Sequence, residues 1–205
     1  MKTARTGVFE TNSSSMHSVT IDPDNHVCYE DYTRGIELEY PEDDRFCTLR
    51  VKCLKSDSVG SCTCRTFMEK LSWLVQCLAD SQLCQEGNTT FTEPELHKLK
   101  KSVWFRSLES AVTSVLCEYG LVKRDEEAEK FWKKLNGEEG QCPYYYPVKL
   151  LISDAFVDLK ATDGVRYFSN SIDFDLGHVF EETLAYHSMY DILDNRELEI
   201  EVMGG

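Results

Sequence analysis

Hydrophobic positions recur along the chain with two different periods. Between Gly35 and Tyr40, Ile36, Leu38 and Tyr40 alternate with Glu37 and Glu39. In 46–54, Cys47, Leu49, Val51 and Cys53 fall on one face and Thr48, Arg50 and Lys52 on the other. A period of two marks a half-buried strand. Strands are also predicted at 5–10, 18–21, 26–32 and 62–67, with a charged turn at 41–44. The period then changes. Phe67, Leu71, Leu74 and Leu78 are spaced three and four apart, which predicts a helix over 66–84. Thr92, Pro94 and Glu95 carry the start signals of a second helix. A third is predicted over 107–120, with Gly120 as its stop. A fourth spans 124–137, with acids first and lysines last as the helix dipole favours. Beyond it, the pattern predicts strands after Pro147, at 165–169 and at 197–202, and a helix over 178–193.

Strands, then helices, then strands predict an α+β fold rather than repeated βαβ units. The expected architecture is one domain over 1–205. N- and C-terminal strands share an antiparallel sheet, and the helical middle section packs on one of its faces. Its parts are a strand-rich 1–65, a helical 66–140 and a mixed acidic 141–205. A chain of 205 residues can bury one sizeable core.

Charge sharpens this picture. The net charge is −14, and it sits at the ends. Residues 1–45 carry ten acids against four bases, and 136–205 carry fourteen against four, whereas the middle is near neutral. Such a chain repels nucleic acid and anionic membranes and is drawn to basic surfaces. No window approaches the ~18 apolar residues of a membrane span. The opening MKTARTGVFE lacks the apolar stretch of a signal peptide, so a cytoplasmic protein is expected.

Nine cysteines in a reducing compartment read as buried thiols or metal ligands. Cys62 and Cys64 are an i, i+2 pair, about 7 Å apart on one strand face. A hairpin would bring Cys53 near them, with Cys47, His26 or Cys28 as a fourth donor. Cys47, Cys53, Cys62 and Cys64 are therefore the candidate ligands of a structural zinc, which takes four thiolates or imidazoles in a tetrahedron. The alternative is that Cys47 and Cys53 are apolar core on the Leu49/Val51 face. Cys77, Cys84 and Cys117 read as core.

The segment TNSSSMHS (11–18) concentrates polar groups. Asn12, Ser13, Ser14, Ser15 and His17 could form a nucleophile–base site. They could equally be a turn held by side-chain-to-backbone hydrogen bonds. A phosphate cradle is disfavoured, because the loop lacks the glycines and cations that hold phosphate.

The run RTGVFETNSSSMHSVTI (5–21) resembles the opening of small proteins from phages and mobile elements of anaerobic or Gram-positive bacteria. In character, a small acidic protein of that origin is similar to anti-CRISPR inhibitors. That resemblance implies a non-enzymatic inhibitor of a nucleic-acid-handling host protein, an RNA-guided CRISPR nuclease above all, acting in the host cytoplasm. It would occupy a basic groove that normally holds nucleic acid. The acids expected to make that contact are Glu37, Glu39, Asp173, Asp175, Glu197, Glu199 and Glu201. The alternative function is an enzyme acting on a nucleotide or a modified protein through the Asn12–Ser15/His17 loop.

Overall fold

The computed structural model describes residues 4–10, 16–21, 26–42, 45–52, 62–83, 90–136, 144–153, 157–159, 167–169, 184 and 187–203. The chain is α+β. Its strands are β1 (Ala4–Glu10), β2 (Met16–Ile21), β3 (Leu38–Glu39), β4 (Cys47–Lys52), β5 (Cys62–Cys64), β6 (Thr90–Thr92), β7 (Val148–Ser153), β8 (Val157–Leu159), β9 (Tyr167–Ser169) and β10 (Leu198–Met203). The described helices are α1 (Tyr29–Tyr32), α2 (Phe67–Leu83), α3 (Glu93–Lys101), α4 (Val103–Glu118), α5 (Glu126–Asn136) and α6 (Met189–Asp194).

The strands divide among three sheets. β1, β2, β10 and β5 are neighbours in that order, with Phe9 opposite His17, Val202 opposite His17 and Ile200 opposite Cys64. β3, β4 and β7 form a second sheet, in which β4 and β7 run parallel. β6, β9 and β8 form a third. A parallel β4–β7 pair requires a long crossover, and here the helical middle of the chain supplies it.

Helix α2 is the centre of the core. Residues Lys70 through Ala79 are all buried, as expected of a helix covered on every side. Its apolar residues join Leu49, Val51 and Leu150 of the second sheet, Cys64 and Ile200 of the first, and Phe105, Leu108, Val112 and Leu116 of α4 in one cluster. α4 starts four residues before its predicted position, because Ser102 caps it by accepting from the Phe105 N–H at 3.1 Å. It ends where Gly120 adopts φ +69. Leu121 N–H donates to Leu116 O and Gly120 N–H to Cys117 O, the paired bonds of a Schellman stop.

The segment 26–32 departs from its predicted strand. Tyr29–Tyr32 form a helical turn with Glu30 and Asp31 at its start, and Gly35 at φ +83 turns the chain out of it. The reason is long-range. Tyr32 is fully buried, and its hydroxyl donates to Leu193 O at 2.6 Å. Strand β3 is only two residues long, shorter than the predicted 35–40.

Two polar networks inside the fold carry measurable consequences. First, β7 has β4 on one side and α4 on the other. Leu150 N–H donates to Glu109 Oε1 at 3.1 Å, and Val148 N–H donates to Thr113 Oγ1 at 2.9 Å. Lys149 Nζ donates to Glu109 Oε2 at 2.8 Å. Glu109 and Thr113 are one helical turn apart, so together they meet successive outward N–H groups of the strand. An exposed strand edge is thereby closed.

Second, Lys70 is 0% exposed. Its Nζ donates to Asn195 O at 2.6 Å and lies 3.4 Å from Tyr32 Oη. Burial lowers its pKa to about 7, because the desolvated ammonium is the disfavoured form.

Glu109→Ala strands the Leu150 N–H and leaves Lys149 without its partner. Chemical denaturation should show a loss of about 2–4 kcal/mol, and Glu109→Gln, whose amide oxygen can still accept, should lose less. Equal losses for the two variants would disprove a role for the acceptor.

Lys70 makes stability depend on pH. Folded, it releases its proton near 7, whereas its ordinary value is 10.5. Between those values the unfolded chain binds the extra proton, so raising pH favours the fold. Above about 9 the trend reverses, because burial raises the pKa of Cys117 to about 11 from 9.0 and also raises that of Tyr32. Urea midpoints should climb from pH 7 to 9. Lys70→Met should flatten that climb, and an unchanged pH profile would sink the assignment.

Candidate functional site

A groove of about 370 Å³ lies between α4 and the start of α6. The local sequence builds both walls. On α4, Phe105, Leu108, Val112 and Val115 face the core. The spacing that buries them leaves Trp104, Ser107 and Ala111 on another strip, and these line the groove. On the opposite wall, Ser188 and Asp191 form a capping box. Asp191 N–H donates to Ser188 Oγ, and Ser188 N–H donates to Asp191 Oδ2, both at 3.1 Å. This box fixes the entry of α6. Ile192 and Leu193 are sent into the core, and Met189 and Tyr190 line the groove. Leu184 completes the lining.

The lining is mostly apolar, with the hydroxyls of Ser107, Ser188 and Tyr190 and the Trp104 indole as its polar groups. Its rim is acidic. Tyr190 donates its hydroxyl to Glu118 Oε2 at 2.6 Å, and that bond raises the tyrosine's own pKa. Glu118 is seven residues beyond Ala111, on the same strip of α4. Glu118 and Asp191 are both exposed. Glu30 and Asp31, also exposed, approach the same end of α4 through α1. There Tyr29 donates to Tyr119 O at 3.0 Å, and the two rings meet edge-on at 5.6 Å. An apolar slot with carboxylates at one end can take an apolar side chain and pair with a cation beside it. Trp104 is 47% exposed, so its indole offers a large flat contact surface.

The acids expected from sequence lie elsewhere. Glu37 precedes β3, and Glu39, on β3, faces Arg50 at 3.5 Å. Glu197, Glu199 and Glu201 are carried by or beside β10, in another sheet. Glu197 lies 3.8 Å from His26 Nδ1. Glu199 accepts two bonds from Arg65, at 2.8 and 3.1 Å, and its side chain is 12% exposed. This carboxylate raises the Arg65 pKa and is committed to an internal pair. Asp173 and Asp175 lie outside the described residues.

Among the candidate zinc ligands, Cys47 and Cys64 are both fully buried but belong to different sheets. Cys47 Sγ lies 3.9 Å from Pro147 O, and burial raises its pKa. Cys62 stands on β5 opposite Val202, and Cys53 lies outside the described residues. His26 and Cys28 are near the surface, with Cys28 Sγ 3.2 Å from Asp31 Oδ2. Among the described residues, no three His, Cys, Asp or Glu side chains converge as a metal-holding group. Asn12, Ser13, Ser14 and Ser15 lie outside the described residues, and His17 stands on β2 between Phe9 and Val202. Among the described residues, no helix is long and apolar enough to cross a membrane.

The groove was hidden in the sequence, because its walls are some eighty residues apart. One local sign exists. Trp104 and Phe105 are adjacent in a helix, so they cannot both face the core, and the surplus aromatic marks a second apolar surface. No protein-family model, curated protein or solved structure matches the chain.

Proposed function

We propose that the chain is a binding protein rather than a catalyst, and that its partner is a protein presenting an apolar anchor beside basic residues. The observation that carries this reading is the apolar α4–α6 groove, with Glu118 bonded to Tyr190 at its rim. Arg or Lys on the partner would pair with Glu118 and Asp191, while an aliphatic or aromatic side chain enters between Trp104 and Met189. Net charge of −14 adds long-range attraction to such a surface.

A nucleic-acid-handling host protein, with an RNA-guided nuclease foremost, remains the partner class this proposal favours. In it, the terminal antiparallel sheet, with helices on one face, would present Glu197 and Glu201 as a second acidic contact. Glu199 contributes less, since Arg65 already holds it.

An amphipathic peptide of alternating leucine and arginine is a suitable probe. Calorimetry should show binding that weakens as salt is raised from 50 to 200 mM. Ala111→Phe, which fills the groove, and Glu118→Lys, which reverses its rim, should each weaken it at least about tenfold, equivalent to 1.4 kcal/mol. The melting temperature should remain within a few degrees. Undiminished binding by both variants would rule out the groove. For the second contact, Glu197→Lys with Glu201→Lys should reduce capture of the nuclease, and unchanged capture would remove the sheet acids from the interface.

A further inference from the structure

Helix α5 differs from the other long helices. None of its residues belongs to the core cluster or to the hydrophobics packed against it. It begins with its own cap, as Asp125 Oδ1 accepts from the N–H groups of Glu127 and Ala128 at 3.0 Å. Trp132 meets the Tyr144 ring edge-on at 6.0 Å, and Glu127 pairs with Arg45 at 2.7 Å across the surface. Ala128, Phe131, Trp132 and Leu135 form one apolar stripe at spacings of three, one and three. Phe131 is 63% exposed and Leu135 66% exposed. Two large apolar side chains, one turn apart, thus stand in water on a helix that is otherwise highly charged.

The charges around that stripe have an order. Glu126, Glu127 and Glu129 fill the first turn, and Lys133 and Lys134 the last. Glu127 and Lys134 are seven residues apart, so they share one edge of the stripe, about 10 Å from each other along the axis. When two identical helices pair antiparallel about a twofold axis, the same edge of each meets in reverse order. Glu127 then faces Lys134 of the copy, and Lys134 faces its Glu127, with the Phe131 and Leu135 side chains between them. A parallel twofold pair would bring opposite edges of the stripe together, so these cross-pairs would not form. The acid-to-lysine order therefore makes the helix complementary to itself in the antiparallel orientation.

We infer that α5 is a self-association surface, on which a second copy of this chain lays its own α5 antiparallel across the Phe131/Leu135 stripe. One pair of eleven-residue helices covers less area than a standard interface. The dimer should therefore be weak and reversible, with a dissociation constant of about 10–100 µM.

Sedimentation equilibrium of the intact chain tests this. Average mass should rise from 23.6 kDa toward twice that value as concentration passes through this range. Leu135→Asp should hold the protein at the monomer mass with an unchanged circular-dichroism spectrum. Glu127→Lys should weaken association about tenfold or more, and Glu127→Lys with Lys134→Glu should restore it, because reversing both charges rebuilds each cross-pair. A chain that remains monomeric at 500 µM would overturn the inference. So would a double reversal that associates no better than Glu127→Lys alone.

Discussion

The carboxyl end of α6 imposes the constraint around which the fold is organised. A helix leaves its last carbonyls without intrahelical donors, and here three consecutive ones, at Leu193, Asp194 and Asn195, are buried or part-buried. Each receives a donor from a different part of the chain. Tyr32 of α1 donates to Leu193 O, Tyr119 at the end of α4 donates to Asp194 O, and Lys70 of α2 donates to Asn195 O. Asn195 O also accepts from the Leu198 N–H at 3.3 Å, whereas Leu193 O or Asp194 O left unpaired would cost about 1–3 kcal/mol. The three bonds therefore hold four elements in one arrangement more specifically than the apolar contacts around them can. A cation near the negative end of a helix dipole is also favourable. That attraction offsets part of the penalty of burying Lys70, and the Tyr32 ring, 4.8 Å from Nζ, adds a further contact.

The same arrangement produces the groove. Because α6 is fixed at its carboxyl end by these donors and at its amino end by the Ser188–Asp191 box, Met189 and Tyr190 face α4 from a set position. Tyr190 then reaches Glu118. The groove is thus shaped by the polar network and lined by the apolar surface left outside it. The acids divide accordingly. Glu109 and Glu199 are internal, bound to backbone N–H and to Arg65 respectively. Glu118 and Asp191 remain exposed at the rim. Net charge alone does not separate these roles, because the internal acids count toward −14 equally.

Where local physics decides, the sequence is a good guide. α2 and α5 lie within a residue or two of their predicted spans, because a 3.6-residue period and an acid-to-lysine order act over one helix. β7 follows Pro147 and β10 follows the Leu198/Ile200 alternation for the same reason. α1 could not be read this way. Val27 and Tyr29 suit a strand, and the deciding contact, from Tyr32 to Leu193, spans 161 residues. The candidate site was less legible still. Alternating carboxylates along a strand report one face of that strand and not whether Arg65 covers it. Trp104 carries the missing information in its neighbour, since Phe105 fills the core position.

The two long helices that present large apolar side chains to solvent do so for different physical reasons. On α4, the apolar content exceeds what one core-facing stripe can hold, so Trp104 and Ala111 form a second stripe opposite α6. On α5 there is a single stripe, and the core does not use it. A lone helix of eleven residues is marginal in water, so α5 relies on its Asp125 cap, its i, i+4 Glu129–Lys133 pair at 2.8 Å and Trp132 against Tyr144. Phe131 and Leu135 contribute nothing to that anchoring while they are exposed. Their retention costs solubility, and that cost is removed if the stripe is covered by a second α5 running in the opposite direction.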